Sequence, residues 1–215
     1  MLKRFDIHYK RGRQYVHSPD LDYHHKLSQI ADAIAQVLAQ PDQYVLVYED
    51  EFTYYRRPSL AQAYGRAGQD DVRAYTGLRS NTKRRIAASL NLLTGQVHAW
   101  QRASFRRHTL LRFFRSLADA YPHAQTIFVV LDNWPVHFHP DIVQGLTGAR
   151  LVFLRLPTYA PWTNPIEKLW RKLYQEHLHL HRLVDDWQQL QASIDSWLAQ
   201  FAQPSPDLLR YVGLA

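Results

Sequence analysis

Hydrophobic positions along this chain recur with two spacings, one near a helical turn and one matching the two-residue repeat of a strand. Leu27, Ile30, Ile34, Val37 and Leu38 fall at helical spacing until Pro41 stops the pattern, predicting a helix with one apolar face. Tyr44 to Tyr48 is a short Val- and Tyr-rich run, read as a buried strand that delivers Asp50 at its C-terminal end. Lys83 to Leu92 and Val97 to Gln101 read as two strands joined across Leu93-Thr94-Gly95-Gln96, a hairpin with its turn residue in place. Leu110, Leu111, Phe114, Leu117 and Ala118 mark an amphipathic helix ending near Pro122, and Thr126 to Leu131 is a second buried strand, broken by Asp132-Asn133-Trp134-Pro135. Leu151 to Leu156 predicts a further strand, closed by a loop from Pro157 to Thr163. Ile166, Leu169, Trp170 and Leu173 then set up a helix, and Trp187, Leu190, Ile194 and Leu198 are in phase within a last one from Val184 to Phe201. Strands mixed with helices, one pair of them a hairpin, predict an α/β fold: a mixed sheet covered by helices on its faces.

A length of 215 residues and a hydrophobic content of 46% suit one substantial core and a single domain. Residues 1–43 read as a basic arm and a helix, 44–203 as the sheet-and-helix body, and 204–215 as a C-terminal tail. There is no cysteine, which excludes disulfides, thiolate zinc sites and cysteine nucleophiles and fits a reducing compartment. No apolar run approaches the ~18 to 20 residues that span a bilayer, so a soluble, cytoplasmic protein with no membrane partner is expected.

The net charge is +7, and it is local. Residues 52–115 hold 13 Lys and Arg against Asp70 and Asp71. Arginine outnumbers lysine 20 to 6, and the planar guanidinium matches phosphate oxygens in a bidentate way that an ammonium cannot. Nucleic acid is the expected partner. Arg56, Arg57, Lys83, Arg84, Arg85, Arg106 and Arg107 are candidates for phosphate contacts, and Arg11 and Arg13 belong to a basic arm of the kind that enters a minor groove.

Three acids stand at the ends of predicted elements. Asp50 closes YVLVYED, Asp132 closes TIFVVLD, and Glu167 opens the helix in NPIEKLW, with 34 residues between the last two. Three carboxylates that a fold can gather are what a pair of hard divalent cations needs, since Mg²⁺ prefers oxygen ligands and is usually held by a few carboxylates plus phosphate and water. Beside an arginine-rich surface, they point to phosphodiester chemistry. Each acid also has a structural alternative. Glu49, Asp50 and Glu51 can together cap a strand end, although period-two alternation turns Glu49 away from the face of Asp50. Asp132 can close an Asx turn, and Asn164, Pro165 and Glu167 have the spacing of a capping box with Arg171 one turn on. His177, His179 and His181 alternate late in a predicted helix, where that spacing does not share one face and makes no zinc site.

The segments YEDE (48–51), LDNWPVH (131–137) and LPTYAPWTNPIEKLW (156–170), in that order, resemble the catalytic domain of DDE transposases of the mariner-like superfamily, in its bacterial insertion-sequence branch. The resemblance runs through most of the chain. It implies a ribonuclease H-like fold in which the first acid sits on the first strand, the second just past the fourth, parallel and adjacent to the first, and the third on a following helix. It further implies that Asp50, Asp132 and Glu167 are catalytic and bind two Mg²⁺ or Mn²⁺ ions. Glu51, Asn133 and His137 are expected around them, His137 completing an Asp-Asn-x-x-x-His pattern. The implied activity is cleavage and strand transfer on double-stranded DNA, at element ends and target, by a homodimer that moves DNA by cut-and-paste into TA dinucleotides, in the bacterial cytoplasm at the nucleoid. Members of this family generally carry a helix-turn-helix region ahead of the catalytic domain, whereas some 43 residues with one helix precede the first strand here, as in a truncated copy or the second half of a split reading frame. Two other readings stay open: a DNA-binding remnant without activity, and another ribonuclease H-like nuclease such as a junction resolvase.

Overall fold

The helical periodicity around Ile30 produces α1 (Tyr23–Ala39), which buries Ile30, Ala33 and Val37 and leaves Leu38 exposed. This is seen in a computed structural model that describes residues 17–66, 68 and 72–215; the proposed basic arm, with Arg11 and Arg13, lies outside the described residues. β1 (Tyr44–Tyr55) is much longer than the five-residue run expected. Its first half pairs in parallel with β4 (Thr126–Leu131), from Tyr44↔Thr126 to Tyr48↔Val130. Its second half continues antiparallel to β2 (Lys83–Asn91) as far as Tyr55↔Lys83. Asp50 therefore lies within β1, opposite Ala88, rather than at its end. The cause is tertiary: β4 stops, but β2 keeps supplying hydrogen-bond partners to the polar backbone of residues 50–55.

The remaining elements are β3 (Val97–Arg102), α2 (Arg107–Ala120), α3 (Pro140–Gly145), β5 (Leu151–Arg155), α4 (Ile166–Leu173), α5 (Trp187–Ala199) and α6 (Pro206–Val212). A 3₁₀ turn at Pro161–Thr163 precedes α4, and a π-helical turn at Tyr174–Leu178 extends it. The five strands are ordered β3-β2-β1-β4-β5, with β1, β4 and β5 parallel and β2 and β3 antiparallel to their neighbours. In the β2–β3 turn, Asn91 Oδ1 accepts from the N–H groups of Leu93 and Thr94, both at 2.9 Å. Gly95 has φ +68° there, and a Cβ on it would lie 2.4 Å from the Ser205 carbonyl oxygen, so the turn requires glycine.

Alternation along the strands builds a core on each face. Leu46, Tyr48, Ile86, Ala88 and Leu90 pack with Ile30 of α1, Leu169 and Trp170 of α4, Ile194 of α5 and Leu208 of α6. Val47, Ala87, Ile127 and Val129 face the other way, onto Leu110, Phe113 and Phe114 of α2 and Ile142 of α3. At about 1.5–3 kcal/mol for each fully buried large apolar side chain, these two layers hold the sheet in place. α5 starts at Trp187 rather than Val184 because Asp186 caps it, its Oδ1 accepting from Gln189 N at 2.9 Å. The segment read as a tail contains α6, capped by Ser205 and burying Leu208, Leu209 and Val212.

Candidate active site

The end of the β1–β4 pairing is where the chain gathers its acids. Asp50 lies two residues past Tyr48↔Val130, and Asp132 follows β4 directly. Ile166, Leu169, Trp170 and Leu173, all buried, fix α4 against the sheet, and Glu167 in its first turn is left exposed. Asp50, Asp132 and Glu167 line one cleft of about 380 Å³, together with Asn133, Trp134, Asn164 and the segment Leu156 to Pro161. The structure thus brings together three carboxylates from three distant parts of the sequence.

Each is oriented by a neighbour. The indole Nε1 of Trp170 donates to Asp50 Oδ2 at 2.8 Å. Trp134 N–H donates to Asp132 Oδ1 at 2.8 Å, so the Asx turn does form, alongside the cleft rather than instead of it. Asn133 Nδ2 donates to the Leu156 carbonyl at 2.7 Å, tying the residue after Asp132 to the loop that walls the cleft. The capping box is absent: no side chain caps α4, no ion pair joins Glu167 to Arg171, and Glu167 contributes to the local structure through its backbone, its N–H donating to the Asn164 carbonyl at 3.2 Å.

Electrostatics mark the cleft as short of positive charge. Burial pushes the Asp50 carboxyl up to about 7, against the Trp170 hydrogen bond and with the carboxylates of Glu167 and Glu51 adding to the rise. Partial burial raises Glu167 as well. Asp132 behaves differently: burial pushes it up, but His137 and the Trp134 N–H outweigh that and its pKa is lowered.

His137 sits behind the cleft, fully buried. Its Nδ1 is 3.3 Å from Asp132 Oδ1, and its Nε2 is 3.0 Å from Glu51 Oε1 and 3.9 Å from Glu49 Oε2. Burial alone would lower its pKa, but Asp132, Glu51 and Glu49 raise it to about 11, so the ring is an imidazolium at neutral pH. Glu49, Glu51 and His137 bring ligand atoms within 4.8 Å of one another. Protonated, His137 serves them as counter-ion, and a metal ion would have to displace that proton to be held there. The carboxyl of Glu49 is 0% exposed with no protein hydrogen bond, and burial, then Glu51, raise its pKa.

The basic candidates divide. Arg57, Lys83 and Arg106 are exposed. Arg85 is half-buried opposite Thr53. Arg56 donates to the Val184 carbonyl, Arg84 to Gln191 Oε1, and Arg107 pairs with Asp141 at 3.0 Å, so these three are also structural. Sequence reading missed Trp170 as a partner of Asp50 because it scores first as a core residue; the only signal was its place one turn from Glu167 on the same helical face.

A family model described as DDE superfamily endonuclease matches residues 45–191. The chain is 25% identical over 166 residues to the insertion element IS630 uncharacterized 39 kDa protein of Shigella sonnei, covering 77% of this chain and 47% of that protein. It spans about half the length of that curated relative. Among solved structures it is similar to the Mos1 transposase paired-end complex with left transposon end (TM-score 0.66, 16% identity, 99% of this chain and 64% of that chain). It is also similar to the catalytic domain of Mos1 mariner transposase (TM-score 0.56, 12% identity, 93% of this chain and 91% of that chain). These likenesses show the ribonuclease H-like fold. The matched span runs from β1 into α5 and covers more than half of the chain, which belongs to the DDE superfamily endonuclease family.

Proposed function

We propose that this chain is the catalytic domain of a DNA transposase, in which Asp50, Asp132 and Glu167 hold divalent cations, two Mg²⁺ or Mn²⁺ ions, for strand cleavage and strand transfer. The observation that carries the reading is the single cleft lined by all three carboxylates. The donor set fits a hard cation: it is all oxygen, and the carboxylates of Glu167 and Glu51 add to the burial-driven rise in the pKa of Asp50, a repulsion that a bound cation would relieve. When bound, such a pair lowers the pKa of the attacking oxygen and stabilises the leaving one.

The chain's own residues supply position. Trp170 holds the Asp50 carboxylate at a fixed angle, and the Trp134 N–H and the His137 imidazolium hold that of Asp132. Glu51 acts one step back, as the anion that keeps His137 charged and aimed. Asn133 anchors the cleft wall at Leu156. Exposed Arg57, Lys83 and Arg106 are the readiest phosphate contacts on double-stranded DNA. The similar proteins, an insertion element protein and a transposase complex with a transposon end, support element ends as substrate. Cut-and-paste movement by a homodimer belongs to the same reading.

Nicking of supercoiled plasmid with Mg²⁺, against an EDTA control, tests it. Asp132→Ala or Glu167→Ala abolishes nicking and leaves DNA affinity largely intact; equal nicking by variant and parent refutes the assignment. A DNA-binding remnant would shift DNA without cutting it at all.

A further inference from the structure

One wall of the acid cleft is the segment Leu156 to Ala160, which follows β5. Leu156, Pro157 and Ala160 are buried and Thr158 is half-buried, so Tyr159 alone projects, 74% exposed, at the cleft. The backbone of Tyr159 has φ +54°, in the left-handed region that a bulky side chain rarely adopts. Such a conformation persists only where its surroundings over-determine it. The support comes from a segment 138 residues earlier in the chain.

That segment is Ser18 to Asp22, which leads into α1. Thr158 N–H donates to Asp20 Oδ2 at 2.7 Å, and the Thr158 carbonyl accepts from the Ser18 hydroxyl at 2.5 Å. Both backbone polar groups of the residue before Tyr159 are thus held by one short stretch. The stretch is itself braced: Asp20 Oδ2 also accepts from Lys26 Nζ at 2.7 Å, Oδ1 accepts from Asp22 N–H at 3.0 Å, and Asp20 N–H donates to the Ser18 hydroxyl at 3.2 Å. Lys26 stands on the first turn of α1, whose Ile30, Ala33 and Val37 are in the core. At the other end of the wall, Asn133, next to Asp132, places its Nδ2 2.7 Å from the Leu156 carbonyl and 3.4 Å from Thr158 Oγ1. An acid close to a cleft for a polyanion is unfavourable by charge alone, and Lys26 offsets that. What Asp20 contributes with its three donors is position.

We propose that Asp20 is a positioning residue: through Thr158 it sets the cleft wall so that the Tyr159 hydroxyl donates to a backbone phosphate of the DNA strand entering the cleft. The inference rests on the proposed function and extends it from the carboxylates to the wall that receives the strand. Tyrosine is among the side chains that hydrogen-bond phosphate oxygens, fixing the register of a protein on DNA without reading sequence.

The test titrates the full chain in EDTA with a duplex oligonucleotide of arbitrary sequence at one salt concentration, since a phosphate contact needs no particular sequence. Tyr159→Phe, at an exposed position where folding is not at risk, weakens binding about tenfold, the scale of one hydrogen bond to a charged group. Asp20→Ala weakens it by a similar factor, although removal of an acid should by charge alone tighten it. Asp20→Asn keeps an acceptor for the Thr158 N–H and recovers most of the lost affinity. Ser18→Ala removes the other bond to Thr158 without touching charge, and shows a smaller loss in the same direction even if Asp20→Ala does not fold. Asp20→Ala added to Tyr159→Phe costs less than about a further twofold, because the two act through one contact. With Mg²⁺, the cleavage rate at saturating DNA stays within about threefold of the parent, so the loss lies in KM rather than kcat. If Asp20→Ala and Ser18→Ala bind DNA as tightly as the parent, or if the Asp20→Ala loss adds in full to that of Tyr159→Phe, the positioning role is wrong. Plasmid nicking by the parent reports the proposed function separately: nicking with an affinity indifferent to Asp20 and Tyr159 removes the positioning role alone, Tyr159-dependent affinity without nicking removes the nuclease reading alone, and a parent that neither nicks nor binds DNA removes both.

Discussion

The two faces of β1 carry acids that are neighbours in sequence and opposites in environment. Asp50 points to the face shared with α4, meets the indole of Trp170 and opens onto a cleft with two other carboxylates. Glu49 and Glu51 point to the α2 face, where His137 lies 3.9 Å and 3.0 Å from them. Among the described residues no Lys or Arg pairs with Asp50 or Glu167 on the one face, and the other seals its acids around His137. The lesson is that a cluster of acids read from sequence is not one site: strand alternation separates YEDE into a face available to a ligand and a face that serves structure. Asp132 joins them, since it lines the cleft and its carboxylate also touches His137.

The strongest way to break this comparison is to neutralise one acid on each face. Asp50→Asn keeps the shape and the Trp170 contact but removes a charge from the cleft; nicking falls on the order of 10³-fold, the several kcal/mol expected for losing metal-assisted stabilisation. Its thermal melt stays close to that of the parent. A nicking rate within tenfold of the parent would place Asp50 with the structural acids. On the sealed face the largest effect is on stability. His137→Ala strands half-buried Glu51 and buried Glu49 without their counter-ion, and urea unfolding should show a loss of about 3–5 kcal/mol. Unchanged unfolding would mean that the cluster carries no net charge to compensate.

Much of this division was legible in the chain. Alternation along Tyr44, Leu46, Tyr48 and Asp50 assigns Glu49 to the other face, and the structure has it there. The five strands, α1, α2 and α4 were also readable, because each carries a strong apolar period. What was not legible depends on partners far away in sequence. The extension of β1 to Tyr55 is set by β2, 28 residues on by the Tyr55↔Lys83 pair, and the segment EDEFTYY has no apolar run to announce it. α3 and α6, six and seven residues long, are too short for periodicity to show. Arg56 and Arg84 look like free cations in sequence, and only the fold shows them bonded to the Val184 carbonyl and Gln191.

A gentler substitution sharpens the contrast within YEDE itself. Glu49→Gln is isosteric and sits on the sealed face without a protein hydrogen bond to lose. It should shift unfolding free energy by about 1 kcal/mol in either direction and leave nicking within about threefold, under 1 kcal/mol of barrier. A drop as deep as that of Asp50→Asn would show that the two faces are not separable.

The smallest effect concerns histidines that lack the carboxylates of His137. His98 is held at 2.9 Å by the Ser116 hydroxyl and packs 5.4 Å from the Phe113 ring, and burial lowers its pKa. His177 and His181 are lowered by burial too, partly offset at His177 by Glu176. A histidine whose folded pKa lies below its unfolded value of about 6.5 binds its proton more readily in the unfolded chain, so the stability it permits is whole above that pH and is lost as pH falls through the folded value. Asp50, Glu49 and Glu167, raised by burial, act with the opposite sign, so the check is a difference: the urea midpoint of His98→Asn should gain on that of the parent as pH falls from 8 to 5. His137 has the opposite sign: its contribution is whole below about pH 6.5 and is lost progressively as pH rises toward about 11. A His98→Asn midpoint that tracks that of the parent at every pH would mean that His98 binds its proton equally well in the folded and unfolded chain.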